Sequence, residues 1–139
     1  PAFAAEEPLL QKGIEAINRI FDGIKVRRWV ACYFHDVSSI LPALARIKAE
    51  VLALDLVTAP RLAEELNKGI WKGEVALGLV DARNTKLESK EELKTAIGSI
   101  AKAIPIERLW LSPNCGLEFL PHSSAVKKLR LMKEVAQSV

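Results

Sequence analysis

The feature that most constrains this chain is the regular alternation of short apolar runs with segments of helical periodicity. Four runs read as strands: Val26–Phe34, Val51–Leu56, Val75–Val80 and Leu109–Leu111. The middle two are almost unbroken in hydrophobicity, the pattern of parallel strands covered on both faces. Helical patterns lie around them. Pro8–Phe21 carries Leu10, Ile14, Ile17 and Phe21 on one stripe, Val37–Ile47 repeats Ile40, Leu44 and Ile47, and Pro60–Asn67 carries Leu62 and Leu66, with Pro60 suited to a first turn. Ser89 and Glu92 form a capping box, and the helix it opens places Leu93, Ile97, Ile100 and Ile104 before Pro105 stops it. A last helix, Ser123–Gln137, spaces Val126, Leu129 and Met132 helically, with Val135 extending the stripe.

Sequential strands separated by helices call for parallel crossovers, hence an α/β fold. Four strands make either a small open sheet or half of an eight-stranded barrel, whose complete form takes about 250 residues. A length of 139 residues does not choose between them. No linker or low-complexity segment interrupts the pattern, so residues 1–139 are expected to form a single unit. Half the residues are hydrophobic and the net charge is +3, which suits a folded domain with a sizeable core. The charges are interspersed, so the calculated pI near 9.0 points to neither a nucleic-acid nor a membrane partner. No apolar stretch approaches the roughly 20 residues of a membrane span and no signal-peptide layout is present, so a cytoplasmic location is expected. In that reducing setting Cys32 and Cys115 read as buried, catalytic or metal-bound rather than disulfide-linked.

In parallel strand–helix folds, reactive residues gather at the C-terminal ends of the strands. Four segments stand there: Ala31 to Asp36 with Cys32 and His35, Leu54 to Leu56 with Asp55, Val80 to Thr85 with Asp81 and Arg83, and Ser112 to Gly116 with Asn114 and Cys115. Two thiolates, a carboxylate and an imidazole suit zinc, and ligands drawn from separate strand ends suit an active-site metal better than a structural one. With a position left open, such a metal would hold an incoming thiol as thiolate. Each residue also has a plainer reading. Either cysteine fits a core position, Asp55 a helix cap, and His35 an exposed loop. Asp81 and Arg83 could pair only with each other, His122 could serve the start of the last helix, and Trp29, Trp71 and Trp110 fit packing.

The strings Leu109 to Leu117 (LWLSPNCGL) and Val80 to Ser89 (VDARNTKLES) resemble two strand-end signatures of the cobalamin-independent methionine synthase family. The similarity continues through Ala31-Cys32-Tyr33 and Val51 to Asp55 to the opening Pro1-Ala2, nearly the whole chain. The resemblance implies a (β/α)8 TIM-barrel type fold of which this chain holds the last four β/α units, a half-barrel of parallel strands. It also implies that Cys32, Cys115 and Asp55 are zinc ligands, Asp55 standing where glutamate is usual. Asp81 and Arg83 fall in a loop tied to proton transfer, and Ser112 and Asn114 flank the cysteine turn as substrate-contacting residues. The metal would bind a thiol such as homocysteine, and the methyl group would come from a methylated folate or a corrinoid.

The family pattern has a histidine two residues before the first zinc cysteine; here that position is Val30. Either His35 substitutes as ligand, or fewer ligands hold the metal, or the metal is lost. A half-barrel leaves two strand edges open, so a complementary barrel half or a homo-oligomer is the expected partner. Two further readings stand beside methyl transfer: a non-catalytic scaffold or regulatory remnant that pairs with another half, and a metal-free decarboxylase-like relative.

Overall fold

The computed structural model describes residues 2–139, with side-chain surroundings from residue 7 onward. Helix α1 (Ala2–Phe21) precedes strand β1 (Trp29–Cys32). A 3-10 turn (Ser38–Ile40) and α2 (Leu41–Leu44) lead to β2 (Val51–Asp55), followed by α3 (Leu62–Asn67) and β3 (Glu74–Val80). Then come α4 (Lys90–Ile100), a second 3-10 turn (Ile106–Arg108), β4 (Leu109–Pro113) and α5 (His122–Ala136). The strands form one sheet in sequence order, and every neighbouring pair is parallel. The α/β alternation expected from the hydrophobic pattern is therefore the fold. Among the described residues no helix is long and apolar enough to cross a membrane.

Element ends differ from the sequence reading for local reasons. β1 starts at Trp29 rather than Val26, because the pairing with β2 begins at Trp29 and Val51, and Val26 is left exposed. The segment read as one helix over Val37–Ile47 is broken into a 3-10 turn and a four-residue helix with Pro42 in its first turn. A proline there has no N–H to continue a preceding helix and favours a fresh start. α1 reaches back to Ala2, beyond the Pro8 start read from the sequence, while Pro1 lies outside the described residues. α4 ends at Ile100, yet Ile104 is still buried, so the periodic stripe marked burial beyond the helix itself. Ser89 does cap α4, its side chain accepting from the Glu92 N–H.

Register decides which side chains share a face. Paired residues in a parallel sheet point the same way and successive residues alternate. Val30, Leu52, Val75 and Leu109 form one row, and Cys32, Leu54, Leu77 and Leu111 form the next row of that face. It packs against Leu62 and Leu66 of α3, Leu93 and Ile97 of α4, and Leu131 and Val135 of α5. A second cluster, with Ile14 of α1 and Leu44 of α2, touches the same sheet through Val30 and Cys32. The opposite face carries Ala31, Ala53, Ala76 and Trp110, then Asp55, Gly78 and Ser112. On it Trp29 and Trp110 meet edge to face at 5.5 Å, and the Arg27 guanidinium lies 5.2 Å over the Trp110 ring. Both of these tryptophans are almost half exposed, whereas Trp71 is buried. Among the described residues the helices pack on one face only, and the other face corresponds to the interior side of a parallel barrel.

Candidate active site

The C-terminal strand ends carry a hydrogen-bonded rim centred on Asp55. This residue ends β2, is 1% exposed, and accepts four hydrogen bonds. Its Oδ1 takes the Thr58 N–H at 2.8 Å and Asn114 Nδ2 at 3.2 Å; its Oδ2 takes the Thr58 hydroxyl at 2.6 Å and the Phe34 N–H at 3.4 Å. Burial pushes the Asp55 carboxyl up, but hydrogen bonds from Thr58, Asn114 and Phe34 outweigh it and hold the group below the usual aspartate range. The donors come from the loops after β1, β2 and β4. Asn114 adds the loop after β3, because its Oδ1 accepts the Ala82 N–H at 2.9 Å.

Arg83 is the cation of this rim. Its backbone N–H and Nε each donate to Asp81 Oδ1 at 3.0 Å, and Nη1 donates to Thr58 Oγ1 at 3.0 Å. Asn84 Nδ2 holds the other Asp81 oxygen. Burial raises the Asp81 carboxyl, and the Arg83 bonds together with the Lys128 charge more than reverse this, so it stays an anion that fixes the arginine. Bonded to Asp81, Arg83 is itself held above its ordinary value and is a permanent positive charge.

A cleft of about 470 Å³ opens beside these groups, lined by Tyr33, Phe34, Arg83, Cys115, Glu118 and Phe119 among others. Phe119 is 90% exposed, and Phe34 holds a left-handed backbone, φ 68°, that turns the β1 loop toward Asp55. Cys115 presents a free thiol here. Burial raises it, the Arg83 charge pulls it back in part, and the nearby carboxylates of Asp55, Glu118 and Asp81 push it up again, leaving it above the ordinary cysteine value. Ser112, paired with Gly78, faces the interior side of the sheet. Asn114 is buried as a strut with both ends of its amide engaged, rather than standing at the cleft surface.

Four parallel strands in chain order with helices on one face define an α/β module of TIM-barrel type, here in its half-barrel form, with a polar rim at the strand C-termini. A family model described as "Cobalamin-independent synthase, Catalytic domain" matches residues 22–138. The chain belongs to this family. It is 31% identical over 136 residues to a methionine synthase of Saccharolobus solfataricus, aligned over 96% of this chain and 41% of the relative. It is 33% identical over 135 residues to a methionine synthase of Methanothermobacter thermautotrophicus, over 91% of this chain and 44% of the relative. The chain thus spans less than half the length of these curated relatives. A B12-independent methionine synthase from Shewanella sp. W3-18-1, solved with selenomethionine, superposes with a TM-score of 0.76 at 19% identity, covering 90% of this chain and 42% of that one. That likeness is one of fold.

The ligand set that the resemblance implies does not converge. Cys32 lies in the row of Leu54, one residue out of phase with Asp55, and packs with both helix-side hydrophobic clusters. Burial alone pushes its thiol up, as for a core cysteine. Asp55 has its oxygens committed to four donors. His35 is exposed in the loop after β1, and Val30 has no donor atom. Among the described residues no group of three or more histidine, cysteine, aspartate or glutamate side chains is placed to hold a metal ion. As arranged, these residues do not fit zinc, which needs about four donors near 2 Å.

Three contributors escaped the sequence reading. Thr58 joins Asp55 to Arg83, a link invisible without the fold. Gly78 lies where a Cβ would sit 2.5 Å from the Leu54 carbonyl oxygen and 2.8 Å from Asn114 Cα, so only glycine lets the cysteine turn settle on β3. The lone glycine inside an apolar run was the available signal. Lys128 of α5 is fully buried and donates to both Glu88 oxygens, at 2.9 and 3.1 Å, and to the Lys86 carbonyl. Glu88 in turn accepts the Asp81 N–H at 2.9 Å, so this ion pair closes the loop that carries Arg83.

Proposed function

We propose that this chain is a single unit forming the C-terminal half of a methionine synthase-type barrel, which moves a methyl group to a thiol such as homocysteine to give methionine. A complementary half or a second copy completes the barrel over the uncovered face, and the donor is a methylated folate or a corrinoid. The observation that carries this reading is the cleft shared by Arg83 and Cys115 at the strand C-termini, the end where such barrels do chemistry.

In this scheme Arg83 lies beside the incoming sulfur and favours its thiolate form, Asp81 fixes the arginine, and Ser112 faces the substrate from the interior side. Asn114 and Asp55 keep the rim in shape. The donors that the resemblance implies for zinc are not assembled among the described residues, so the thiolate is favoured here by charge and hydrogen bonds. The test is alkylation of Cys115 in the completed barrel. Homocysteine should slow it at least several-fold while leaving the core-side Cys32 unchanged; equal Cys115 rates with and without homocysteine would contradict the proposal.

The scaffold reading gains from one specific observation, the placement of Val30 and Cys32 on the helix side of β1. It predicts a stable complex with a partner half and no methionine formation under any donor.

A further inference from the structure

We infer that in this chain the cation facing the thiol site is the Arg83 guanidinium, held by an Asp55-centred hydrogen-bond hub, in the place where the family resemblance calls for a metal ion. The inference rests on the proposed thiol-handling role of the cleft and specifies how the site treats an anion.

Two independent geometries support it. The first is the dispersal of the donors: a strand cannot point Cys32 and its partner's next residue to the same side, so bringing Cys32 to Asp55 would need β1 to slip by one residue. Such a slip would take Val30 and Cys32 out of the core that both clusters share. The second is the positive construction around Asp55. Its negative charge is spent on two backbone N–H groups, a hydroxyl and an amide, which together tie all four rim loops. Thr58 passes the order on, donating to Asp55 while accepting from Arg83. The guanidinium is fixed from two sides and lines the cleft with Cys115.

A guanidinium so held is a ready partner for a thiolate or for the carboxylate of a thiol-bearing amino acid, and it cannot lose its charge at any physiological pH. It would also repel a divalent ion placed at Cys115. The ligand class assigned to the cleft is therefore a small anion carrying sulfur, bound through charge and hydrogen bonds rather than through a metal–sulfur bond.

The experiment has two arms on the completed barrel. In the first, cobalt(II) is added as a spectroscopic stand-in for zinc; the expected result is no stoichiometric thiolate-to-cobalt absorption. One equivalent of bound cobalt with that absorption, abolished by Cys115→Ser, overturns the inference whether or not methyl transfer occurs. In the second, homocysteine protection of Cys115 from alkylation is compared in Arg83→Gln and Arg83→Lys. A loss of protection of about tenfold in Arg83→Gln, partly restored in Arg83→Lys, supports it, and undiminished protection in Arg83→Gln overturns it. If Arg83→Gln does not fold, Thr58→Val, which removes the outer hold on Arg83, takes its place with a smaller expected loss. Absence of protection in the unmodified barrel is the distinct result that removes the thiol-handling proposal itself.

Discussion

Asn114 and Asp55, 59 residues apart in sequence, meet at 3.2 Å from Nδ2 to Oδ1 over the C-terminal end of the sheet. The bond ties the loop after β4 to the end of β2 across the intervening β3, and Asn114 secures β3 as well through the Ala82 N–H.

Asn114→Leu should therefore leave a buried N–H and one carboxylate oxygen short of partners, a loss of about 2–4 kcal/mol from two such deficits. Urea denaturation measures it. Asn114→Asp should be worse at neutral pH, since it sets a second carboxylate against Asp55, and its deficit should shrink as acid protonates the pair.

Gly78→Ala should cost about 1–3 kcal/mol, because the added methyl meets backbone atoms of Leu54 and Asn114 that cannot rotate away. A lowered unfolding midpoint checks the stability. Faster alkylation of Cys115 in the same variant would report the displaced turn.

The Lys128–Glu88 pair gives a clear double-mutant case. Lys128→Met should destabilise by about 3–5 kcal/mol, because it strands the Glu88 carboxylate in a largely buried site. Adding Glu88→Gln should recover part of that loss while keeping an acceptor for the Asp81 N–H.

Glu50 is one of the carboxylates whose folded-state value lies below the ordinary range. Its carboxylate takes side-chain and backbone hydrogen bonds from Arg28, which lower it from the ordinary 4.5 to about 2. A folded-state value below the unfolded one means that this contribution is fully present above pH 4.5 and is lost as pH falls toward 2. Titration of the Glu50 carboxyl by NMR should show the low midpoint, and Arg28→Gln should return it toward the ordinary value.

The fold was legible where pattern dictates it. The continuous apolar runs of β2 and β3 gave their type and nearly their limits, and Ser89 with Glu92 marked the start of α4. Pro42 broke a helix that the Ile40, Leu44 and Ile47 stripe suggested, since apolar spacing reports which face is buried and not whether the backbone can continue. The four rim segments were also legible, because strand ends can be located from hydrophobic runs. Which side of the sheet Cys32 takes was not: it depends on the one-residue register between β1 and β2, set by packing around Val30 and Cys32 rather than by any residue type. The Thr58–Arg83 and Lys128–Glu88 links were missed because they span 25 and 40 residues.

If this half-barrel's rim delivers a methyl group to sulfur, the completed barrel makes methionine. The direct measurement is methionine formation from homocysteine and a carbon-13-labelled methyl donor by the barrel completed with a complementary half. Labelled methionine is expected with a methylated folate or a methylated corrinoid, together with a fall in rate of about 10²-fold in Arg83→Gln, the scale of losing a positioned charge at a reacting group. No labelled methionine from a demonstrably assembled barrel with either donor would contradict it.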